Sequence, residues 1–301
     1  MEKNKLTVIV PIYNEEDTLP LFLSELVKYC QTNDWYLILV DDGSTDNSDE
    51  ILYSYKEADG VKIINHKINK GYGAAIKTAL RFTETPWVVT VDGDGQHDFH
   101  DIDSLLILAE EECADLVVGK RCEGSGFLRS IGKHLIRSFA KLLMPINIHD
   151  LNSGFKLYRT ELVKLFAPIC PDTMSFSDII TLFFINQKCK VLEYPIHIKS
   201  RQGGKSTINL STAFDTVVNI LNISMLFNPL RIFLPLSMLF FIIGLAWGIP
   251  IVLAGRGVSL GSLLLIICSL VFLSIGLIAS QLSSIRLDSL NDKSNSISFH
   301  K

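Results

Sequence analysis

Apolar and polar positions alternate between two periods along roughly the first 120 residues of the chain. LTVIVPIY is a continuous apolar run, as a strand buried on both faces requires. EEDTLPLFLSELVKYC then sets Leu19, Phe22, Leu23, Leu26 and Val27 at helical spacing. The alternation repeats: strand WYLILVDD, a helix opened by TDNSDEILYSYKEA, strand VKIINH, helix GYGAAIKTALRFT, strand PWVVTVD, helix DFHDIDSLLILAEEE, strand ADLVVGKR. Such alternation predicts an α/β domain with a mostly parallel sheet. After Arg121 the pattern loosens. LRSIGKHLIRSFAKLLM reads as a basic amphipathic helix and HDLNSGFKLYR as a polar loop entering a strand. SFSDIITLFFINQK reads as a helix and VLEYPIHIKSR as a strand.

Further on, Leu210, Phe214, Val217, Val218, Leu221 and Met225 recur at helical spacing. This amphipathic segment lies either in the headgroup plane or packed on the preceding domain. Two uncharged stretches follow, Ile232 to Gly255 and Gly257 to Ile285. Each exceeds the ~20 residues that cross a bilayer as a helix. They predict two transmembrane helices joined by a tight turn at GRGVS. The expected organisation is therefore a cytosolic domain over 1–207, an interfacial segment over 208–229, a membrane hairpin over 230–287 and a tail over 288–301.

Composition sharpens this outline. Hydrophobic residues make up 48% of the chain, an excess concentrated in the hairpin. A net charge of −4 gives no reason to expect nucleic-acid binding. MEKNKLTVIV does not read as a signal peptide, because its apolar run passes straight into PIYNEE. Arg231, Arg286, Lys293 and Lys301 lie on the chain-end sides of the hairpin, against Arg256 alone at its tip. That bias places both termini and the α/β domain in the cytosol. The six cysteines are scattered with no CxxC pair, which suits reduced cytosolic thiols.

The polar clusters YNEE, DDGSTD and DGDGQHD fall at the ends of the first, second and fourth strands, where ligands of open parallel sheets sit. In DGDGQHD, Asp92 and Asp94 are alternate residues of an extended segment and face the same way. Two carboxylates with an amide oxygen from Gln96 suit Mg²⁺ or Mn²⁺ shared with substrate phosphates. Other readings are weaker. An EF-hand would put Asp92, Asp94 and Asp103 at loop positions one, three and twelve, but His97 stands where glycine is needed. His97 and His100 have a spacing open to zinc, yet oxygen ligands dominate the cluster, and the two histidines read as exposed loop residues. GGKST lacks the first glycine of a phosphate loop, since Lys199 stands there.

In order and spacing, VPIYNEE, DDGSTD, NKGYGAA and DGDGQHD resemble glycosyltransferase family 2, with its GT-A (Rossmann-like) nucleotide-sugar fold. GKR (119–121), DLNSGFKLYR and EYPIHIKSRQGGKS resemble its polyprenyl-phosphate branch, which includes dolichyl-phosphate mannose synthases and undecaprenyl-phosphate glucosyltransferases. The resemblance implies that Pro11, Tyr13, Glu15 and Asp42 line the nucleoside pocket, with Asp41 alongside. It implies that Asp92, Asp94 and Gln96 hold the metal and diphosphate. Arg121, Arg137, Arg201 and Lys205 would bind phosphates of donor or lipid, and Asp178 would assist the acceptor. The implied catalytic set is Asp94, Asp178, Arg121 and Arg201. DGDGQ stands where the family usually has DADLQ, and Thr207 where it often has a second basic residue. The implied reaction is inverting transfer of a hexose, UDP-glucose favoured over GDP-mannose, to a polyprenyl phosphate. Transfer to another lipid, an inactive nucleotide-sugar binder and a P-loop NTPase using Lys205 are the alternatives. Association of subunits through the membrane is also compatible with two spans.

Overall fold

A computed structural model describes residues 5–121, 148–197, 225 and 227–298, with side chains up to 285 in the last helix. They form two compact units, an α/β unit up to residue 197 and a helical one from 225 onward. The expected boundary at 207 and most of the amphipathic segment lie outside the described residues.

The α/β unit is built on a sheet ordered β3-β2-β1-β4-β6-β5-β7. Its strands are β1 (Leu6–Ile12), β2 (Tyr36–Asp41), β3 (Val61–Asn65), β4 (Trp87–Thr90), β5 (Leu116–Arg121), β6 (Lys156–Arg159) and β7 (Val191–Ile196). Every pairing is parallel except those of β6, which runs against both β4 and β5. The expected mostly parallel sheet is therefore present, with one reversed strand inside it. Its helices are α1 (Leu19–Thr32), α2 (Ser48–Tyr53), α3 (Tyr72–Leu80), α4 (His100–Glu111), α5 (Thr160–Phe166) and α6 (Phe176–Asn186).

The strand alternation sorts side chains to two faces. Leu6, Val8, Val10 and Ile12 of β1 pack with Leu37, Leu39, Val89, Val117 and Leu157 against α1 and α4. All five apolar positions expected of α1 are buried there. The other face carries Ile9, Ile38, Val40, Val88 and Val118, equally buried. Helices on both faces explain why these strands read as unbroken apolar runs. Burying each such side chain contributes about 1.5–3 kcal/mol, so the framework is fixed before any polar loop is considered.

In the helical unit, α7 (Leu230–Leu253) and α8 (Leu260–Ser298) form the expected hairpin. Leu230–Leu253 and Leu260–Ile285 have mean hydropathies of 2.4 and 2.7, and only 17% of each apolar window is buried. Apolar side chains facing outward along two membrane-length helices are what lipid contact produces. Small residues let the pair approach: a Cβ on Gly276 would meet Phe233 Cβ at 2.7 Å, and one on Gly248 would meet Ser262 Oγ at 2.7 Å. Ser237 Oγ donates to the Ser269 carbonyl at 2.9 Å, and Phe240 stacks on Phe272.

Candidate active site

The carboxyl ends of the parallel strands place their loops on one edge of the sheet, and hydrogen bonds lock those loops together. The loop after β1 is tied to the loop after β2. Asn14 N donates to Ser44 Oγ at 3.0 Å, and Asn14 Oδ1 accepts from Thr45 N at 2.8 Å. Glu15 N donates to Ser48 Oγ, and Glu16 Oε2 accepts from Asn47 N at 2.9 Å. Asn14 adopts φ 54, a left-handed conformation that asparagine tolerates better than most residues. The acidic and amide residues of YNEE and DDGSTD thus spend much of their capacity holding one another.

A cleft of about 530 Å³ opens between these loops and the end of β3. Tyr13, Asp41, Gly43, Ser44, Asn65, His66, Ile68 and Asn69 are in its wall. Asp41 is buried, and its Oδ1 accepts from Ser44 N at 3.1 Å and Ser44 Oγ at 2.5 Å. Asp42 stands behind the wall. Its Oδ1 receives His66 Nδ1 at 2.6 Å and Lys70 N at 2.9 Å, and its Oδ2 receives Gly71 N at 2.7 Å. His66 Nε2 in turn meets Thr78 Oγ1 at 3.0 Å. A buried carboxylate with three donors is a clamp on the NKGYG loop. Pro11 is in β1 opposite Val40 and is not among the lining residues. Glu15 accepts from Thr18 Oγ1 at the start of α1.

The NKGYG loop packs on the segment before α6. A Cβ on Gly71 or Gly73 would lie 2.4 Å from the carbonyl oxygen of Asp172 or Pro171, so only glycine fits. This seats Tyr72, whose hydroxyl donates to Asp92 Oδ1 at 3.2 Å. Burial and the Asp92 charge push the Tyr72 phenol well above its ordinary range, so it acts as a neutral donor.

Asp92, Asp94 and Gln96 are half-buried just beyond β4. Asp94 Oδ1 accepts from Gln96 N at 3.1 Å, and Gly95 turns the chain at φ 69. Among the described residues no group of three or more histidines, cysteines and carboxylates is gathered as a closed metal site. An open pair of carboxylates fits a hard divalent ion that keeps positions for water and phosphate oxygens. His97 corrects one expectation. It is buried, 7% exposed, with its ring stacked on Phe155 at 4.7 Å and Nε2 3.7 Å from Asp92 Oδ2. The apolar Phe155 behind the loop draws it inward. His100 is exposed at the start of α4, with Nδ1 3.2 Å from the Tyr29 hydroxyl.

The loop before β6 reaches the same edge because β6 runs backwards. Asp150 binds Arg121 as a fork, Nε to Oδ2 at 2.7 Å and Nη2 to Oδ1 at 2.8 Å. Burial alone would raise the Asp150 carboxyl, but the Arg121 pair outweighs it and holds it below the usual range. With its amide nitrogen turned toward Asp178, Asn152 donates to both carboxylate oxygens at 2.6 and 2.7 Å. Burial pushes Asp178 up to about 6, against the opposing pull of Lys156 and Arg121. Gly154 abuts Asp92, and its carbonyl accepts from Thr90 Oγ1 at 2.6 Å.

A model of the family described as glycosyl transferase family 2 matches residues 7–166, which span every strand-end loop just described. The chain belongs to glycosyl transferase family 2. A second model, the GtrB C-terminal hairpin, matches residues 228–285, the stretch of α7 and the apolar part of α8. Among curated proteins, this family member is 25% identical over 222 residues to an undecaprenyl-phosphate 4-deoxy-4-formamido-L-arabinose transferase of Proteus mirabilis. That match covers 72% of this chain and 67% of the relative. The protein of the same name from Sodalis glossinidius is 23% identical over 256 residues, 84% of this chain and 77% of its own. Among solved structures, glucosyl-3-phosphoglycerate synthase of Mycobacterium tuberculosis, crystallised with Mn²⁺, UDP and phosphoglyceric acid, superposes with a TM-score of 0.58. It is 16% identical, over 73% of this chain and 78% of that one. That likeness establishes the GT-A fold of this transferase.

Of the residues singled out from sequence, Tyr13 and Asp41 meet at the cleft, Asp92, Asp94 and Gln96 at the end of β4, and Arg121 and Asp178 beside the β6 loop. Arg137, Arg201 and Lys205 lie outside the described residues, as does Lys199. Sequence reading passed over Asn65 and His66, although they too follow a strand end. It also passed over Tyr72, Asn152, Gly154 and Lys156, whose partners are distant in sequence.

Proposed function

We propose that this protein transfers a sugar from a nucleotide diphosphate donor to the phosphate of a polyprenyl lipid at the membrane surface. The observation that carries the reading is the open Asp92–Asp94 pair beside a nucleoside-sized cleft, in a chain whose other unit is a membrane-length hairpin. The relatives, named for undecaprenyl phosphate, support the acceptor class. The structural neighbour crystallised with UDP and either Mn²⁺ or Mg²⁺ supports a UDP-sugar and a divalent ion. UDP-glucose is the favoured donor, and GDP-mannose is the second choice.

Tyr13 and Asp41 receive the nucleoside, while Asp42 and His66 keep the cleft's floor in register. Asp92, Asp94 and Gln96 would hold Mg²⁺ or Mn²⁺, which supplies Lewis-acid stabilisation of the departing diphosphate. Arg121, Arg137, Arg201 and Lys205 are assigned to the phosphates, whose mutual repulsion must be offset to bring donor and acceptor together. A lipid phosphate is already anionic, so Asp178 has only to orient it and accept a residual proton. In-line attack at the anomeric carbon breaks its bond to the diphosphate and inverts configuration. The boundaries 1–207, 208–229, 230–287 and 288–301, and a cytosolic placement of the α/β unit and both termini, belong to this reading.

The test is a transfer assay on purified protein in detergent with polyprenyl phosphate and Mn²⁺ or Mg²⁺. Labelled UDP-glucose, UDP-galactose, UDP-GlcNAc, GDP-mannose and UDP-4-deoxy-4-formamido-L-arabinose are supplied in turn. An EDTA-sensitive labelled lipid with one donor is expected. Nucleotide-sugar binding without any lipid product would favour a non-catalytic binder or a different acceptor, and loss of product in Asp94→Ala would localise the metal.

A further inference from the structure

Lys156 opens β6, and strand register decides where it points. Leu157 belongs to the core cluster under α1 and α4, so Lys156 and Tyr158 face the opposite side, toward α6. There the lysine is completely buried. Its Nζ lies 2.6 Å from the Leu151 carbonyl, 2.6 Å from the Ser177 carbonyl, 2.7 Å from Ser177 Oγ and 2.8 Å from Thr181 Oγ1. Ser177 and Thr181 are four apart and share one face of α6. Both hydroxyls donate elsewhere, Ser177 Oγ to the Ser153 carbonyl at 2.6 Å and Thr181 Oγ1 to the Ser177 carbonyl at 3.0 Å. They can therefore only accept from Lys156, and every neighbour of Nζ is an acceptor. An ammonium ion brings three N–H donors to this shell of four acceptors, whereas a neutral amine would bring two and turn its lone pair on another acceptor.

A charged lysine without solvent is expensive, and no surface role accounts for it. Its setting does. Burial pushes the Lys156 ammonium down to about 8, and the Asp178, Asp150 and Asp92 carboxylates resist that fall while Arg121 adds to it, so the lysine carries its charge below that pH. Its hydrogen bonds tie the loop 150–154 to the first turns of α6, the two segments that hold the Asn152–Asp178 pair. We propose that Lys156 is a positioning residue, whose fixed charge holds Asn152 and Asp178 together on the acceptor side of the site and Gly154 against Asp92. This rests on the transfer reaction proposed above.

The experiment compares Lys156→Met, which keeps length and removes charge, with Lys156→Arg, which keeps charge. Both are read against wild type for melting temperature, UDP affinity, donor KM, kcat and the pH profile of kcat. Charged and titratable groups bearing on Asp178 are Lys156 from β6, Asp150 from the preceding loop and Arg121 from β5, with Tyr72 of α3 on the same site. Lys156→Met is expected to bind UDP as wild type does, with kcat lowered at least tenfold at unchanged donor KM. Its acid limb should move to higher pH, since the cation that favoured ionised Asp178 is gone. Lys156→Arg should keep the acid limb where wild type has it. An unchanged kcat in Lys156→Met, or equal losses in both variants with an unmoved limb, would overturn the proposal.

If Lys156→Met does not fold, Ser177→Ala decides. It removes the bridge from Lys156 to the Ser153 carbonyl and should lower kcat severalfold without changing donor KM. A wild-type rate in that variant also overturns the proposal. A wild-type protein that makes no lipid product fails the functional reading alone. Its hydrolysis of nucleotide sugar then supplies the same kcat and pH readouts.

Discussion

Gly154 stands so close to Asp92 that a Cβ added to it would lie 2.3 Å from both carboxylate oxygens. The obstacle is the end of a half-exposed side chain, so an alanine there can be accommodated by swinging Asp92 aside. Gly154→Ala is therefore expected to fold and melt close to wild type while losing roughly 100-fold in transfer rate, the scale of an ångström-sized misplacement. Circular dichroism and a transfer assay on the same preparation check both halves. A fully active Gly154→Ala would show that the position of Asp92 is immaterial.

Tyr72 reaches the same carboxylate from the other side. Tyr72→Phe deletes one donor to a charged acceptor, an interaction of about 1.5–3 kcal/mol. The expected outcome is a fall in kcat of about tenfold, the lower end of that range, with UDP affinity unchanged by calorimetry.

Asp178 sets the expected pH dependence. Burial raises its carboxyl to about 6, so it takes up a proton as pH falls through that value. Transfer should decline on the acid side with a midpoint near 6, and Asp178→Asn should be slow and lack that limb. Stability moves the other way. A carboxyl raised on folding binds its proton more tightly in the folded chain, so Asp178 adds stability as pH drops from about 6 toward its unfolded value. Asp150, held low by Arg121, contributes stability above its unfolded value and loses it as pH falls through its folded one. Melting curves of Asp150→Asn and Asp178→Asn should therefore diverge from wild type in opposite senses, Asp178→Asn between about pH 4 and 6 and Asp150→Asn below about pH 4.

The hairpin depends on close approach at Gly276. Gly276→Val would force Cβ into Phe233, where no side chain end can yield. Overpacking of this kind costs about 1–3 kcal/mol. The variant should lose thermal stability in detergent, while UDP binding, proposed above for the α/β unit, should stay at wild-type affinity.

The long apolar periods made the sheet, its helices and the hairpin legible, because burial on both faces of β1, β2 and β4 leaves no polar positions to confuse the pattern. Strand-end carboxylates disclosed Asp41, Asp92 and Asp94 for the same reason: polar residues have no place in such strands except at their ends. What escaped were side chains defined by a partner far along the chain. Lys156 alternates with Leu157 as a surface residue would, and only α6, packed on that face with Ser177 and Thr181 against Nζ, buries it. Asp42 reads as a twin of Asp41, yet neighbouring strand positions point to opposite sides, and it clamps Lys70 and Gly71 instead of facing the cleft. His97 sits in a polar loop and reads as exposed until Phe155 arrives from β6's approach to cover it.

The reversal of β6 also divides the site into parts with separate supports. Each donor-side loop is welded at both ends to a strand and the helix that follows it, so a change in one disturbs the framework. The segment from 148 to 155 enters the same edge from outside that series and passes through β6 away from it. A change in that segment therefore reaches the site through its contacts with Asp92, Arg121 and Asp178, without passing through any helix that carries a donor-side loop.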